Sequence, residues 1–411
     1  MRILLALDKF RGSLDAAQAG RELARGIARA WPHADCRVLP MADGGEGTVE
    51  AVLSSVGGRW IPVQVHDPLG RPRTSGYAWL GQETALVEMA QASGLALLDP
   101  AERSPLQTSS RGTGELLAAA VAAGAKRVVL AVGGSATVDG GAGLLVGLGC
   151  RLWDKDGREL DGSGGSLGEV SRLDLQPAVE RLCQVEVEIA SDVTHPLLGV
   201  QGAARVFAPQ KGATPQQVVQ LEVNLAHWAQ MLRNAGGPAD LGTRPGTGAA
   251  GGVAAALLSV ARHVQVVSGV EWVAQAVRLD EAIQWADLVI TGEGRLDEQT
   301  AGGKVVAGVG RHARRLGRPV VAIVGTIGGG WQADPVRLRD ACGLLAEASI
   351  LPEPMELSVA MTRTPELLAA AGERMARWLE VGISLGKPGS RQPADESTCS
   401  ARQGFGQAAG E

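Results

Sequence analysis

Acidic and basic side chains are concentrated in one glycine-rich stretch of the chain, TGEGRLDEQTAGGK at residues 291–304. It follows the apolar run DLVI, which has the composition of a buried strand. Turn chemistry explains glycines in a loop, but it does not require so many charged and amide side chains on one connection. We therefore interpret this loop as part of a functional site. Its candidate residues are Gly292, Glu293, Arg295, Asp297, Gln299, Thr300 and Lys304.

A second charged junction is LALDKFRGS at residues 5–13. Asp8 stands where the first apolar run ends, and Lys9, Arg11 and Ser13 lead into a predicted helix. Ligands of α/β sheets bind at the carboxyl ends of strands, and a helix N-terminus favours anions. The junction therefore indicates an anion or metal site. A surface loop with solvated charges is the alternative.

Two acids separated by glycines occur in PMADGGEGT, residues 40–48, just after the strand-like run CRVL. On so flexible a backbone, Asp43 and Glu46 could orient a hydroxylated substrate or a hydrated magnesium ion, with Gly44 and Gly45 allowing close approach. A turn followed by a helix with an acidic start explains Glu46 equally well.

The loop VGGSATVDGGAG, residues 132–143, follows the apolar run RVVLAV. Its glycines allow the backbone to turn tightly and to approach a ligand closely, which suits an anion. A tight strand-to-helix turn is the simpler alternative. The candidate binding residues are Gly133, Gly134, Ser135, Thr137 and Asp139.

Two further stretches carry a carboxylate and an amine that could act in group transfer. Asp192 follows the apolar run VEVEIA in SDVTHPLLG, and Lys211 lies in FAPQKGA. An aspartate within reach of a substrate hydroxyl and a lysine that neutralises phosphate are parts that phosphoryl transfer requires. Either residue alone is more often a surface residue.

Three familiar site types are absent from the sequence. GGK at 302–304 is followed by Val305, so no P-loop exists. A literal G-x-G-x-x-G at 246–251 follows Pro245 instead of a strand, which is the wrong context for a dinucleotide fold. The six histidines and five cysteines do not have zinc-ligand spacing.

Alternating strand-like and helix-like runs predict an α/β fold with a largely parallel sheet. We expect a first strand at Arg2–Leu7, a helix capped by Ser13 that ends near Arg29, and a last helix from an N-cap at Thr364 to about Glu380. Similar units recur at Thr113–Val132, Leu279–Ile290, Thr300–Gly317 and Pro319–Val324.

The pattern changes near Arg59–Leu80, where short alternating stretches predict antiparallel strands. We therefore predict two domains. A Rossmann- or flavodoxin-like domain is built from both chain ends, residues 1–60 and 287–382, and a mixed α/β domain, 61–286, is inserted in it. Residues 383–411 are rich in glycine, serine, glutamine and proline and are predicted to be a disordered tail.

Composition excludes several classes of protein. Only 3% of the 411 residues are aromatic and the net charge is −5, which argues against a nucleic-acid partner. The apolar stretch before Asp8 is too short for a signal peptide, and charges interrupt the longer ones, so no membrane association is expected. Five widely spaced cysteines favour reduced thiols and a cytoplasmic location. The oligomeric state stays open, with a homodimer among the options.

Taken together, the loops resemble the ordered motif set of the type I bacterial glycerate kinases, from Met1 to about Val381. Those motifs are DKFRGS, ADGGEGT, GTGE, GGSATVDGGAG, SDVTHPL, FAPQKGA, GTGAAGG and TGEGRLDEQT. The resemblance implies ATP-dependent phosphorylation of D-glycerate with magnesium, giving 2-phosphoglycerate. Val138 and His195 stand where the family more often has Asn, and Lys9 and Arg11 replace the more usual Ser and Lys.

On this hypothesis Asp192 is the general base that takes the hydroxyl proton. Asp8, Asp139, Glu293 and Asp297 are assigned to magnesium and orientation. Lys9, Arg11, Lys211 and Lys304 are assigned to anions. Two alternatives remain at this point: an oxidoreductase that binds a nicotinamide nucleotide through GTGAAGG, and a metabolite-sensing regulator with a degenerate site.

Overall fold

The computed structural model describes residues 1–386. The strands are β1 (Arg2–Leu7), β2 (Asp35–Val38), β3 (Arg59–His66), β4 (Pro72–Gly81), β5 (Thr84–Glu88), β6 (Arg127–Ala131), β7 (Arg151–Trp153), β8 (Arg172–Asp174), β9 (Glu186–Ala190), β10 (His263–Val267), β11 (Leu288–Gly292), β12 (Arg295–Leu296), β13 (Val320–Val324), β14 (Thr326–Ile327) and β15 (Ala346–Ser349). The helices are α1 (Ala16–Ala30), α2 (Thr48–Val56), α3 (Ala90–Ser93), α4 (Arg111–Ala122), α5 (Ala142–Gly147), α6 (Gln176–Leu182), α7 (Ala203–Phe207), α8 (Pro215–Asn234), α9 (Val253–Val260), α10 (Gly269–Ala276), α11 (Leu279–Trp285), α12 (Val305–Arg315), α13 (Gly329–Ala333), α14 (Pro335–Cys342), α15 (Leu357–Thr362) and α16 (Thr364–Gly386).

Both ends of the described chain form one parallel sheet of five strands. Its order is β15-β13-β11-β1-β2, with Ile3 opposite Leu288 and Cys36 in the paired strands. This is the flavodoxin-like order, in which the connections run to opposite sides of β1 and leave a crevice between the carboxyl ends of β1 and β11. A ligand of this sheet is therefore expected beside the residues that follow Leu7 and Gly292.

The middle of the chain forms a mixed sheet of six strands in the order β10-β9-β6-β5-β4-β3. Four of its strands are parallel, and the hairpin β3–β4 adds the antiparallel edge that the alternating pattern predicts. The predicted fold class, α/β with a parallel sheet from both chain ends and a mixed α/β middle, is confirmed. The division into two domains at residues 60/61 and 286/287 stays a prediction.

Three apolar clusters hold these sheets. Helices α1 and α16 cover one face of the five-stranded sheet, with Leu23 and Leu368 fully buried there, and they approach so closely that a Cβ at Gly26 would lie 1.8 Å from the Ala369 carbonyl oxygen. A second cluster includes residues of both sheets, among them Leu4 and Val129. Burial of each such side chain contributes about 1.5–3 kcal/mol, so this shared cluster fixes the two sheets against each other.

Several predicted boundaries differ from the structure. Asp15, not Ser13, caps α1, because its carboxylate accepts from Gln18 N at 2.6 Å while Ser13 Oγ donates to Met361 O. The Thr364 hydroxyl donates to Ala360 O instead of capping α16. The helix predicted from Thr300 begins at Val305, after a 3-10 turn over Glu298–Gly302.

Helix α16 extends to Gly386, four residues into the predicted tail, and residues 387–411 lie outside the described chain. Within residues 1–386, the helices lack the combined length and apolarity needed to cross a membrane.

Candidate active site

A cavity of about 670 Å³ opens at the carboxyl ends of β1 and β11 and reaches the loop that follows β6. Thirteen of the residues selected from the sequence line it, although they come from distant parts of the chain. They are Asp8, Lys9, Arg11, Ser13, Asp43, Gly45, Glu46, Gly133, Gly134, Glu293, Arg295, Asp297 and Lys304. A smaller cavity of about 320 Å³ beside it shares Asp8, Lys9, Arg11, Ser13 and Glu46.

Asp8 lies at the crevice of the five-stranded sheet. Its backbone N–H donates to Gly292 O at 2.9 Å, so β1 and β11 fix its position, and its Oδ1 accepts from Lys9 N at 2.7 Å. Burial raises the pKa of Asp8 well above its usual value, and the nearby Asp43 carboxylate acts in the same direction. A positive charge in the cavity would therefore stabilise the ionised form of Asp8.

Glu293 lies across the crevice, directly after β11. It is buried, and its Oε1 accepts a hydrogen bond from Thr300 Oγ1 at 2.7 Å. Burial raises the pKa of Glu293 to about 7, although the Thr300 hydrogen bond and the Lys304 ammonium oppose the shift. Its carboxyl group can consequently change protonation, or accept a cation, near neutral pH.

Some side chains of the 291–304 loop stabilise the loop itself, and others line the cavity. Asp297 caps the 3-10 turn by accepting from Gln299 N at 3.0 Å, and its own N–H donates to Thr300 Oγ1. Lys304 lines the cavity, and its Nζ has no hydrogen-bond or ion-pair partner within residues 1–386. Gln299 is exposed and Thr300 is buried, and neither lines the cavity, so the structure does not support their predicted direct contacts.

The loop of residues 43–47 is held by Lys9 and by a residue that sequence reasoning missed. Lys9 Nζ donates to Glu46 O and lies 3.2 Å from Glu46 Oε2. Glu88, the last residue of β5, is fully buried and accepts from Gly47 N at 3.1 Å and Val49 N at 3.0 Å. A carboxylate of the six-stranded sheet thus anchors the N-terminus of α2 and the loop beside the cavity.

At one wall of the cavity, the loop after β2 and the loop after β6 contact each other through glycines. Gly133 N donates to Gly44 O at 3.0 Å, and a Cβ at Gly133 would lie 2.5 Å from Gly45 Cα. No larger residue fits at Gly133 without moving one loop away from the other. The contact explains why glycines occur in both motifs, and it leaves Gly44 in the wall while Gly45, Gly133 and Gly134 face the cavity.

Asp139 does not fit its predicted place as a metal ligand. It is fully buried, and its carboxylate accepts from Ser110 N, Ser110 Oγ, Gly141 N and Gly143 N at 2.7, 2.7, 3.1 and 3.3 Å. Burial raises the pKa of Asp139, and these hydrogen bonds oppose the shift. Its oxygens are therefore occupied by hydrogen bonds from the loop and from Ser110. The neighbouring Val138 is buried in an apolar cluster.

Lys211 also lies behind this wall. It is 4% exposed, and its Nζ donates to Ser135 Oγ at 2.8 Å and to Thr137 O at 2.7 Å. Burial lowers the pKa of Lys211 to about 7, and the Asp139 carboxylate opposes the shift. Lys211, Ser135 and Thr137 do not line the cavity, so the structure does not support their predicted ligand contacts.

Asp192 follows β9, as predicted, but its carboxylate is engaged with a helix end. It accepts from Ser268 Oγ at 2.6 Å, Gly269 N at 3.1 Å and Val270 N at 3.2 Å, at the start of α10. Burial raises its pKa, while the Ser268 hydrogen bond opposes the shift. A Cβ placed at Gly303 would lie 3.9 Å from Asp192 Cβ, so this residue faces the 291–304 loop. Asp192 does not line the cavity, and neither does Gly292, which is buried at the end of β11, so the predicted direct contact of Gly292 with a ligand is not supported.

Comparison with known proteins identifies the family of this chain. The model of the glycerate kinase family matches residues 3–380. The chain is 42% identical over 393 residues to a glycerate kinase of Bacillus subtilis, covering 94% of this chain and 99% of that protein. It is 38% identical over 384 residues to the glycerate 2-kinase of Escherichia coli, covering 93% of this chain and 99% of that protein.

A crystal structure described as a glycerate kinase 2 from Salmonella typhimurium superposes with a TM-score of 0.77 at 39% identity, covering 93% of this chain and 99% of that one. Family model, relatives and solved structure all span nearly the whole chain. The protein belongs to the glycerate kinase family, which is a family of small-molecule kinases.

Proposed function

We propose that this protein transfers the γ-phosphoryl group of ATP to D-glycerate, with magnesium, and forms 2-phosphoglycerate. The observation that carries the proposal is the cavity at the crevice of the flavodoxin-like sheet, where Asp8, Glu293, Lys9 and Lys304 meet. The family membership supplies the reaction class. The name of the Escherichia coli relative, glycerate 2-kinase, supports transfer to the 2-position.

In this proposal the basic residues of the cavity bind and orient the phosphates. Lys304 Nζ has no hydrogen-bond or ion-pair partner among the described residues and Arg11 is exposed at the cavity, so both side chains are available to anions. The backbone N–H of Gly134 would add a donor without charge, whereas that of Gly133 already donates to Gly44 O. A kinase that lacks a P-loop has to distribute this task over several loops.

Magnesium fits the carboxylates that face the cavity, Asp8, Glu293 and Asp297, with Asp43 beside them. Within residues 1–386 no three acidic, histidine or cysteine side chains form a ready-made metal site. Mg²⁺ commonly takes one or two carboxylates and completes its shell with water and substrate phosphates, so this sparse set suits a metal that enters with the nucleotide. When bound, magnesium would neutralise the charge that develops on the transferred phosphoryl group.

We assign the general base to Asp192. It does not line the cavity, and the support for the choice is its position behind Gly303, next to the 291–304 loop that does. The hydroxyl proton of glycerate would pass to its carboxylate as the oxygen attacks phosphorus. The three hydrogen bonds to Asp192 fix the direction of that carboxylate, and burial raises its pKa despite them, which favours acceptance of a proton. We place the enzyme in the cytoplasm, in keeping with the free Cys36, Cys150, Cys183 and Cys342.

The alternative of a nicotinamide-dependent oxidoreductase gains no support. Within GTGAAGG, residues 249–251 form a 3-10 turn that does not follow a strand, and a Cβ at Gly251 would lie 2.2 Å from Thr137 O. This turn packs against the wall and does not present a helix N-terminus to a dinucleotide. A degenerate regulator is also disfavoured, because the charged groups of the cavity are retained.

The test is incubation of the purified protein with ATP, magnesium and D-glycerate, with the products resolved by ³¹P NMR. The proposal expects ADP and 2-phosphoglycerate in equal amounts. Formation of 3-phosphoglycerate would correct the regiochemistry, and hydrolysis of ATP without phosphorylation of glycerate would contradict the proposed acceptor.

A further inference from the structure

One end of the cavity is apolar, and the reaction chemistry described above does not use it. The residues there come from the loop after β15 and from α15. They are Ile350, Leu351, Leu357, Ala360 and Met361. Charged residues at β1 and β11 and the glycine wall line the rest of the cavity, and Met361 borders them through Ser13. A single cavity thus has a charged half and an apolar half.

Helix α15 supplies several apolar side chains of this half, and these side chains are not buried in the protein core. None of its residues is buried, and Leu357 is 68% exposed although it borders the cavity. The helix is tied down by polar contacts, with Ser13 Oγ donating to Met361 O at 2.6 Å and Thr364 Oγ1 donating to Ala360 O at 2.9 Å. It therefore holds apolar side chains at the cavity rim without packing them in the core.

A three-carbon hydroxy acid and a triphosphate have no apolar surface that needs such a rim. A nucleotide has one, the face of its heterocyclic base, and aliphatic side chains gain free energy when they cover it. The cavity of about 670 Å³ is in the range of sites that enclose ligands of nucleotide size and is larger than glycerate alone requires.

We propose that the apolar half binds the base of the nucleoside triphosphate, with the base against Leu357 and Met361. The inference rests on the proposed function, in which ATP is the donor. The phosphates then extend toward Lys304 and Lys9, because the same cavity connects α15 to the crevice. Glycerate is left with the far side, between Glu293 and the wall at Gly133 and Gly134.

The chain offers a matched pair of variants on one helix. Leu357 lines the cavity, whereas Val359 is 44% exposed and does not line it. Leu357→Ser should weaken binding of ATP, measured by isothermal titration calorimetry, about tenfold, because it removes apolar contact with the base. Val359→Ser should leave the affinity unchanged, and both variants should keep the wild-type melting temperature within about 2 °C because neither side chain is buried.

Tripolyphosphate separates the base from the phosphates, because it carries the charges of the triphosphate without a base. The proposal expects Leu357→Ser to bind tripolyphosphate as tightly as the wild type does. Equal weakening of both ligands, unchanged ATP affinity, or a wild type that binds no ATP would overturn it. These binding measurements do not depend on turnover. A protein that binds ATP through Leu357 but does not phosphorylate glycerate would therefore refute the proposed function and leave the base site standing.

Discussion

The loops of residues 132–143 and 291–304 have similar compositions and different surroundings. Each follows a parallel strand, each is rich in glycine, and each has a carboxylate near a lysine, Asp139 with Lys211 and Glu293 with Lys304. Asp139 accepts four hydrogen bonds behind the wall, and Lys211 donates two. Glu293 accepts one bond at the cavity, and Lys304 Nζ has no partner within residues 1–386.

The comparison indicates how to distinguish side chains that stabilise such loops from side chains that can bind a ligand or take part in a reaction. A buried carboxylate whose oxygens already accept hydrogen bonds from backbone N–H groups stabilises the loop and has little remaining capacity to bind a ligand. A charge at a cavity with few protein partners keeps that capacity. The two loops should therefore respond differently to mutation: changes behind the wall should reduce stability, and changes at the cavity should reduce turnover.

The largest effect is expected at Lys304. Lys304→Ala should lower kcat at least 100-fold with little change in the KM for glycerate, because it removes a charge that would stabilise the transferred phosphoryl group. Raised magnesium should not restore the rate. Asp297→Asn is the matched control, since a weakened metal site can be refilled by mass action and its rate should partly recover. Steady-state kinetics over a magnesium series would show both, and recovery of Lys304→Ala would contradict the assignment.

Asp192→Asn distinguishes a general base from a helix cap. As a base, Asp192 should be needed for turnover, and kcat should fall about 100-fold. Asn keeps one acceptor for the N–H groups of α10, so the loss of stability should be about 1 kcal/mol. Near-normal kcat in the folded variant, accompanied by a lower melting temperature, would show that Asp192 only supports α10.

The pH dependence of stability should report the burial of Lys211. Its pKa is about 7 in the folded protein, below the ordinary value of 10.5, so the unfolded chain binds more protons between these values. Unfolding free energy should therefore rise with pH from 7 to 9, with up to about 2 kcal/mol from this residue. In urea titrations, the unfolding free energy of Lys211→Met should rise less with pH, because the variant lacks the contribution of this residue. An identical pH profile in the variant would mean that Lys211 is not buried as described.

A smaller effect is expected at Glu88, which acts through the loop of residues 43–47. Glu88→Gln keeps one acceptor for Gly47 N or Val49 N and should shift kcat/KM only a few-fold. Glu88→Ala removes both acceptors and should lower stability by about 1–3 kcal/mol. Thermal melting and kinetics of the two variants together would test this order, and a larger kinetic defect in Gln than in Ala would reverse it.

Sequence reasoning found many of the residues that line the cavity because they follow strand ends. Asp8, Asp43, Glu293 and the glycines near Gly133 all follow apolar runs, and the sheets bring those ends to one cavity because parallel strands end at the same edge. The side-chain partners depend on long-range packing and could not be predicted in this way. The Asp139 carboxylate, for example, accepts hydrogen bonds from Ser110, which is 29 residues distant in sequence.

The apolar half of the cavity gave no sequence signal at all. Ile350, Leu351 and Leu357 lie in a segment without glycine-rich loops or clustered charges, and ordinary aliphatic residues of this kind indicate a core as readily as a ligand site. Only their position next to the crevice distinguishes them. Glu88 was missed for a related reason, since the residues that follow it, MAQAS, include no glycine and no further charge.

The most direct test compares two isosteric changes, Asp139→Asn and Glu293→Gln, by kcat and by unfolding free energy at pH 8. Asp139→Asn should lose about 3 kcal/mol of stability, because an amide N–H₂ would face backbone donors, yet keep kcat within a few-fold. Glu293→Gln should be at least as stable as the wild type, since burial raises the pKa of Glu293 to about 7 and its charge is costly at pH 8, while kcat falls at least 100-fold. The reverse pattern, with turnover lost in Asp139→Asn and kept in Glu293→Gln, would contradict the account.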